Sequence, residues 1–235
     1  MSAENRLIVA LDEEALAPAL RVARQVRGLA RTVKIGSVLF TAAGPKAIGR
    51  TRQLGFDVML DLKFFDIPNT VEQSCRAAAG HRVSLLTVHA AGGRAMLEAA
   101  VRGVRDGHPG PSRTRPRVLA VTLLTSVAGT SPGAVHRRVL ALAGEAIDAG
   151  CDGVVASAQE ARALRRAFGN RRLIVCPGIR SAASARGDQR RVSTPREAIA
   201  DGADFLVVGR PITHARNPRA AARTILNEME DRDAC

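Results

Sequence analysis

Short apolar runs recur along the chain, and each is followed by a segment in which apolar residues have helical spacing. The first run, from Leu7 to Leu11, is closed by Asp12. A short, continuous apolar run is typical of a strand that is buried on both faces. Eight such strands are predicted, at residues 7–11, 32–36, 57–63, 84–89, 117–124, 153–157, 173–176 and 205–208.

The segments between these strands predict helices. Because Pro68 disfavours helical backbone at Ile67, we expect Asn69 or Thr70 to cap the helix after the third strand. Asn217-Pro218 is typical of a helix start, with a capping residue before a first-turn proline. The predicted helices cover residues 14–28, 43–54, 70–79, 93–103, 132–148, 158–168 and 195–201, and a last helix begins at Asn217-Pro218.

Strict alternation of strands and helices favours an α/β fold with a parallel sheet. Eight strand–helix units within 235 residues favour a closed (β/α)8 TIM barrel that spans residues 1–235 as a single domain. An open, doubly wound sheet is the alternative fold. It is disfavoured because no glycine-rich fingerprint follows the first strand.

Charged residues arrive where the third strand ends. Asp61 and Lys63 are two residues apart, so on an extended chain their side chains point to the same side. Asp66 follows three residues after Lys63, beyond the strand. For this spacing alone, a surface salt bridge is an equally good interpretation.

The other strand ends favour a functional interpretation, because all strand C-termini of a barrel surround one mouth. Two carboxylates and two ammonium groups would alternate there, and each would keep its neighbours ionised. His89 is expected to belong to the wall of the pocket rather than to its chemistry. The side chains and loops predicted at the mouth are Asp12, Lys34, Asp61, Lys63, His89, Thr125, Ser126, Arg180, Gly209 and Arg210.

Lysine is rare in this chain, which has three Lys among its 35 basic residues. Two of the three, Lys34 and Lys63, lie at predicted strand ends, and the third is Lys46. An ammonium group gives up a proton far more readily than a guanidinium group. The composition therefore indicates that these two positions need an ammonium group.

The formal net charge of +13 raises the possibility of a basic RNA- or DNA-binding module. However, the basic residues form only doublets, and the chain has no Trp or Tyr on which bases would stack. We interpret the charge as solvated helix faces that also attract anionic substrates, and we predict no nucleic-acid partner.

The remaining composition predicts a cytoplasmic protein with no membrane and no metal partner. The chain contains neither a signal-peptide pattern nor an apolar run of membrane-spanning length. The five His residues show no paired metal-ligand spacing. No two cysteines have CxxC spacing, which favours reduced thiols at Cys75, Cys151, Cys176 and Cys235.

The loops after the seventh and eighth strands are the usual phosphate-binding place of this fold. Here they contain Gly178, Arg180, Gln189, Gly209 and Arg210, which combine close backbone approach with forked donors. Residues 179–194 have the length and composition of a mobile loop that closes over a phosphate.

The segment from Asp61 to Thr70, DLKFFDIPNT, resembles the signature of the orotidine 5′-phosphate decarboxylase family. The resemblance extends from Leu7 to about Asn227. The DxKxxD pattern alone is shared with sugar-phosphate relatives, but IPNT and the loop with Arg180 and Gln189 make it specific. Further matching segments are residues 9–12, 33–36, 122–126, 177–180, 188–192 and 208–212.

This resemblance implies a cytoplasmic, homodimeric barrel that converts orotidine 5′-phosphate to UMP and CO2, the last step of de novo pyrimidine nucleotide synthesis, without metal or cofactor. It implies a catalytic tetrad of Lys34, Asp61, Lys63 and Asp66, in which Lys63 protonates C6 of the pyrimidine. Asp66 and Thr70 are then expected to reach into the partner's site.

The resemblance also implies the substrate contacts. Asp12 and Lys34 are expected to hold the ribose, and Ser126, next to Thr125, to contact the pyrimidine. The phosphate is expected to bind to Gln189, Gly209 and Arg210, with Arg180 beside it.

Two features depart from the family pattern. Gly187 stands where family members often carry Asp before Asp188, and the Pro-rich segment 106–116 is peculiar to this chain. The nearest alternative function is that of a Mg²⁺-dependent sugar-phosphate decarboxylase or aldolase of the same barrel superfamily.

Overall fold

The fold is a closed barrel of eight parallel strands, which confirms the predicted fold class. The structure is a computed structural model that describes residues 2–108, 110–124, 131–180 and 193–230. The strands pair in chain order, and β1 closes the barrel against β8. They are β1 (Leu7–Ala10), β2 (Thr32–Gly36), β3 (Asp57–Phe64), β4 (Leu85–His89), β5 (Arg117–Val121), β6 (Gly153–Val155), β7 (Leu173–Cys176) and β8 (Phe205–Val208).

Helices surround the barrel, and short 3₁₀ turns lie at Ala90–Gly92 and Ser112–Thr114. Within the described residues, none of the helices is long and apolar enough to cross a bilayer. The helices are α1 (Ala3–Arg6), α2 (Leu16–Val26), α3 (Ser37–Ala43), α4 (Pro45–Gln53), α5 (Pro68–Gly80), α6 (Gly93–Gly107), α7 (Pro132–Asp148), α8 (Ala158–Phe168), α9 (Pro195–Ala200), α10 (Arg210–Thr213) and α11 (Pro218–Glu230).

The predicted helix over residues 43–54 corresponds to α4, but a further helix that was not predicted, α3, precedes it, and the two meet at Gly44. Gly44 has a φ of +56°, which L side chains rarely adopt, and it ends α3. Pro45 then begins α4, where its fixed φ suits a first helical turn.

The start of α5 also differs from the prediction. Ile67 has extended backbone, as the following proline predicts, but the helix begins at Pro68 itself. Asn69 and Thr70 therefore lie inside the first turn and cap nothing. Instead, the Asp66 carboxylate accepts a hydrogen bond from the Ile67 amide at 2.6 Å.

The strands β5 and β6 are shorter than predicted and end at Val121 and Val155. Apolar character continues beyond the end of β5, which is why the pattern extended the strand to residue 124. In the structure, Leu123 and Leu124 instead line the cavity at the mouth of the barrel. Their apolar side chains serve the pocket rather than the sheet.

Two apolar layers result from the alternation of side chains along each strand. Leu7 and Val9 face the surrounding helices, whereas Ile8 and Ala10 face the barrel interior. Both sets are buried, which explains why the strands are continuous apolar runs. The interior layer consists of Ile8, Ala10, Met59, Leu85, Leu119, Val121, Val155, Val175 and Val207.

The helices α5 and α6 cross closely because α6 carries glycines at the contact. A Cβ atom at Gly103 would lie 2.2 Å from the carbonyl oxygen of Glu72, and one at Gly107 would lie 2.3 Å from that of Arg76. We expect Gly103→Ala to lower the free energy of unfolding by about 1–3 kcal/mol through overpacking. Urea denaturation measures this change.

The matched control for this prediction is Gly49→Ala in α4. Gly49 is exposed, and a Cβ atom there would meet nothing within 4 Å. Alanine should therefore stabilise the protein at this position, by about 0.5–1 kcal/mol. If both substitutions stabilise the protein, the close approach of α5 and α6 does not limit the residue at Gly103.

Candidate active site

A cavity of about 440 Å³ opens at the C-terminal ends of the strands. Its floor is apolar and comes from the interior layer, for example from Ala10 and Met59. The predicted side chains of Asp12, Lys34 and Asp61 line it together with that of Lys63. This part of the predicted site is therefore assembled in one place.

The strand register explains why these groups meet. Lys34 of β2 lies beside Ala10 of β1 and Met59 of β3, which both face the interior. Asp61 follows Met59 by two residues and so continues the same inward face. The polar groups thus take over the inward positions where the apolar floor ends.

Asp61 lies between the two ammonium groups. Its Oδ2 is 3.0 Å from Lys63 Nζ and 3.5 Å from Lys34 Nζ. Lys34 Nζ is also 2.8 Å from Oδ1 of Asp12, so the four charges alternate in the order predicted. The Asp61 side chain is only 11% exposed, whereas that of Lys63 is 38% exposed and faces the cavity.

Burial of Asp61 would by itself raise the pKa of its carboxyl group. The ammonium groups of Lys34 and Lys63 and a hydrogen bond from Thr87 act in the opposite direction, and together they hold the pKa below its ordinary value of 3.8. Asp61 is therefore a carboxylate at neutral pH. A buried negative charge is fixed in the middle of the site.

The backbone at Lys63 differs from the extended strand that the spacing predicts. Lys63 has a φ of +49°, and the register between β3 and β4 shifts between Leu60 and Phe64. A positive φ is uncommon for a residue other than glycine, and it costs of order 1–3 kcal/mol. Asp61 and Lys63 share the cavity as predicted, but through this irregularity rather than through simple alternation.

The Asp12–Lys34 pair depends on Gly36, whose role the spacing of charged residues did not indicate. A Cβ atom at Gly36 would lie 2.7 Å from Oδ1 of Asp12 and 2.9 Å from Nζ of Lys34. Glycine thus leaves room for the two side chains to meet above β2. The only sequence signal for this role is a glycine two residues after a lysine on the same strand.

The predicted phosphate residues lie on the same cavity. Arg180, Gly209 and Arg210 line it, together with Gly178. After β7, Ile179 forms a parallel β-bridge with Ser193, and the Arg180 amide donates a hydrogen bond to the Ser193 carbonyl. Thr125, Ser126 and Gln189 lie outside the described residues, as does segment 181–192 of the predicted mobile loop.

Asp66 and Thr70 do not join this cavity within the chain. Both residues are exposed, beyond the end of β3 and in the first turn of α5. Asp66 lies between Phe65 and Ile67, whose surfaces are 62% and 65% exposed. In the single chain, Asp66 is therefore a surface carboxylate, flanked by two exposed apolar side chains and separate from the cavity.

His89 caps the 3₁₀ turn after β4, since its Nδ1 accepts a hydrogen bond from the Ala91 amide at 3.3 Å. Its ring lies 5.5 Å from the ring of Phe65. Partial burial and the nearby Lys63 ammonium lower the pKa of His89. These contacts give His89 a role in shaping the mouth, beside the reacting groups.

Thr87 is a further site residue that pattern reasoning missed. This fully buried side chain of β4 accepts a hydrogen bond from the Lys63 amide and donates one to Asp61 Oδ1, each at 2.9 Å. The available signal was a hydroxyl residue within the run Leu85 to Val88. Threonine is common in strands for packing reasons, so that signal is weak.

Cysteine and metal chemistry receive no support from the described residues. Burial raises the pKa of the thiols of Cys75 and Cys151 to about 12 and also raises that of Cys176. All three are free, buried thiols, while Cys235 lies outside the described part. Across residues 2–108, 110–124, 131–180 and 193–230, no three His, Cys, Asp or Glu residues cluster as a metal site.

Comparison with known proteins agrees with this geometry. A family profile described as "Orotidine 5′-phosphate decarboxylase / HUMPS family" matches residues 5–225. The orotidine 5′-phosphate decarboxylase of Moorella thermoacetica is 46% identical over 98% of this chain and 94% of its own length. That of Halorhodospira halophila is 47% identical over 95% of each chain.

Solved structures are also similar to this chain. The crystal structure of orotidine 5′-phosphate decarboxylase from Lactobacillus acidophilus has a TM-score of 0.82 and 36% sequence identity, and the match covers 96% of this chain and 99% of the other. An uncharacterised conserved protein from Geobacillus kaustophilus has a TM-score of 0.81 at the same identity, with 95% and 99% covered. Both matches cover nearly the entire barrel.

Proposed function

The chain belongs to the orotidine 5′-phosphate decarboxylase / HUMPS family, and we propose from this that it converts orotidine 5′-phosphate to UMP and CO2 in pyrimidine nucleotide synthesis. The observation that carries the proposal is the alternation of Asp12, Lys34, Asp61 and Lys63 around one cavity. The proposal assigns no metal or cofactor to the reaction and places the enzyme in the cytoplasm.

The cavity fits a nucleotide with a charged group at each end. Its volume of about 440 Å³ lies within the range of small-molecule sites. Arg180, Gly209 and Arg210 all line it, and guanidinium groups combined with an accessible glycine backbone suit a phosphate. We also assign Gln189 to the phosphate contacts, Ser126 to the pyrimidine contacts, and the neighbouring Thr125 to substrate binding.

Asp12 and Lys34 suit the ribose between these ends. Their 2.8 Å ion pair uses Oδ1 of Asp12, and the Asp12 side chain is 48% exposed. A carboxylate accepts hydrogen bonds from ribose hydroxyl groups, and an ammonium donates to their oxygens. The pair thus has a donor and an acceptor for the sugar.

The reaction breaks the bond between C6 of the pyrimidine and its carboxyl group. The electron pair of that bond stays on C6 as CO2 leaves, and a proton must then be added to C6. Lys63 is suited to both tasks, because a fixed ammonium stabilises the developing negative charge and then donates the proton from Nζ. Solvent returns a proton to the amine afterwards.

Asp61 is proposed to destabilise the bound substrate before its carboxyl group leaves. A substrate carboxylate placed beside the Asp61 carboxylate would meet a like charge that disappears when CO2 departs. The position of Asp61 is maintained by Lys63 at 3.0 Å and by Thr87 at 2.9 Å. Binding of the distant phosphate would supply the free energy to hold the substrate against this repulsion.

We propose further that two copies of the chain form the working enzyme, with Asp66 and Thr70 reaching the partner's site. Phe65 and Ile67 on either side of Asp66 are the two most exposed large apolar residues described, which suits burial against a second copy. A twofold interface would place both copies of Asp66 equivalently. The tetrad of Lys34, Asp61, Lys63 and Asp66 is then completed in the dimer.

One prediction tests the phosphate assignment. Arg210→Ala should weaken binding of UMP by at least about tenfold and leave binding of uridine nearly unchanged, because only the nucleotide has the charged contact worth about 1.5–3 kcal/mol. Isothermal titration calorimetry measures both affinities. Arg216→Ala is the matched control, because Arg216 is exposed on the next turn and does not line the cavity. Equal losses for UMP and uridine would remove Arg210 from the phosphate site.

The function itself is tested by the loss of orotidine 5′-phosphate absorbance with purified protein in the presence of EDTA. The proposal predicts turnover that chelation does not reduce. Turnover of a ketose phosphate that depends on added Mg²⁺, with no change in orotidine 5′-phosphate, would assign the chain to sugar-phosphate chemistry instead.

A further inference from the structure

We propose that Thr87 is a positioning residue that sets the geometry of the proton donor and of the neighbouring carboxylate through one hydroxyl group. The inference rests on the proposed function, because it assigns Thr87 a part in the same decarboxylation. It adds a residue of β4 to a charge network formed by Asp12, which follows β1, Lys34 of β2, and Asp61 and Lys63 of β3.

The hydroxyl of Thr87 forms hydrogen bonds to two site residues at once. Its hydrogen goes to Asp61 Oδ1, and one of its lone pairs accepts the Lys63 amide, each at 2.9 Å. A hydroxyl has one hydrogen and two lone pairs, so it makes both bonds at once. Thr87 follows Leu85 by two residues on the inward face of β4 and is completely buried.

The bond to the Lys63 amide stabilises an otherwise unfavourable backbone. Lys63 has a φ of +49°, and the ladder between β3 and β4 is interrupted there. The amide therefore lacks its regular sheet partner, and leaving such a group unpaired would destabilise this backbone. The Thr87 hydroxyl replaces that partner and holds the residue whose side chain reaches into the cavity.

The bond to Asp61 fixes the orientation of the carboxylate. Oδ2 contacts Lys63 Nζ at 3.0 Å, while Oδ1 accepts from Thr87. Rotation of the carboxylate would break both contacts. One hydroxyl therefore holds the backbone of the donor and the side chain of its partner in a fixed relation, as efficient catalysis requires.

Thr87 is not among the residues that line the cavity, so within the described chain it touches the reacting groups and not the space for the substrate. Its loss should therefore lower kcat and leave KM nearly unchanged. If Thr87 acts only through packing, kcat should depend on the shape of its side chain. If it positions the site as proposed, kcat should depend on its hydroxyl group.

Two substitutions separate these roles. Thr87→Val keeps the shape and removes the hydroxyl, and we expect kcat to fall by about 10- to 100-fold, since misplacement by 1 Å costs about 10²-fold. Thr87→Ser keeps the hydroxyl and loses a methyl group, and we expect kcat within about threefold of wild type. Circular dichroism and thermal denaturation check that both variants fold.

A second readout does not depend on turnover. The chain has three lysines, so labelling with lysine carrying ¹³C at Cε gives three signals, which Lys46→Arg and Lys34→Arg variants assign. The Lys63 signal should shift in Thr87→Val and stay near its wild-type position in Thr87→Ser. The signal of the exposed Lys46 should not move in either variant.

The outcomes separate this inference from the proposed function. If wild type does not turn over orotidine 5′-phosphate, the proposed function fails, and the Lys63 signal still decides whether the hydroxyl positions Lys63. If wild type is active and Thr87→Val keeps its kcat, or Thr87→Ser loses as much as Thr87→Val, the positioning role of Thr87 is overturned.

Discussion

Lys63→Ala abolishes turnover of orotidine 5′-phosphate while the chain stays folded. Lys63 Nζ lies 3.0 Å from Asp61 on a side chain that is 38% exposed at the cavity, whereas the Lys34 side chain is only 11% exposed and its ammonium contacts both Asp12 and Asp61. Because a general acid contributes about 10²-fold or more, we expect a loss of at least that size in kcat. A continuous absorbance assay measures the loss.

The control for this substitution is Lys46→Ala, which removes an exposed lysine of α4 outside the cavity and should keep full activity. Circular dichroism should show wild-type secondary structure for both variants, since Asp61 retains Lys34 and Thr87 as partners. If Lys63→Ala keeps more than roughly a hundredth of wild-type turnover, Lys63 is not the acid.

Mixing two inactive variants restores activity if the site is shared between subunits. Lys63→Ala and Asp66→Ala homodimers should each be nearly inactive, because each lacks one member of the tetrad in both sites. In a mixed dimer, one site receives both defects, and the other combines an intact Lys63 with the partner's intact Asp66. With free exchange at equal amounts, roughly a quarter of wild-type activity should return on this symmetry argument.

The measurement is turnover after the two variants are unfolded and refolded together. Wild type taken through the same protocol shows how much activity refolding recovers, and each variant refolded alone sets the baseline. If wild type recovers and the mixture stays at the baseline, Asp66 acts within its own chain, and the shared site is wrong.

The barrel could be predicted because its strands are buried on both faces. Such strands consist of continuous apolar runs that are visible in the sequence. The strands β2, β7 and β8 have the predicted bounds. Short elements were missed, because the four residues of α10 are too few to show helical spacing. The seven residues of α3 were missed as well, because the predicted helix began only at residue 43, where α3 ends.

The charged core of the site could also be predicted, since Lys34, Asp61 and Lys63 lie in the C-terminal parts of strands, whose ends meet at one mouth in a parallel barrel. The left-handed backbone of Lys63 could not, because it depends on the register of β3 against β4 rather than on local residues. The two bonds of Thr87 depend on the same long-range pairing. The spacing of residues within one chain could not indicate that Asp66 acts in a second subunit. That proposal rests on the family resemblance.

The proposed decarboxylation is tested most directly by the identity of the product formed in D2O. Purified protein, treated with EDTA and supplied with orotidine 5′-phosphate, is followed by NMR. The proposed decarboxylation predicts UMP that carries deuterium at C6, formed in equal amount to the substrate consumed and to the CO2 released. The absence of UMP, or its disappearance when metal ions are chelated, would contradict a decarboxylation in which this pocket alone stabilises and protonates C6.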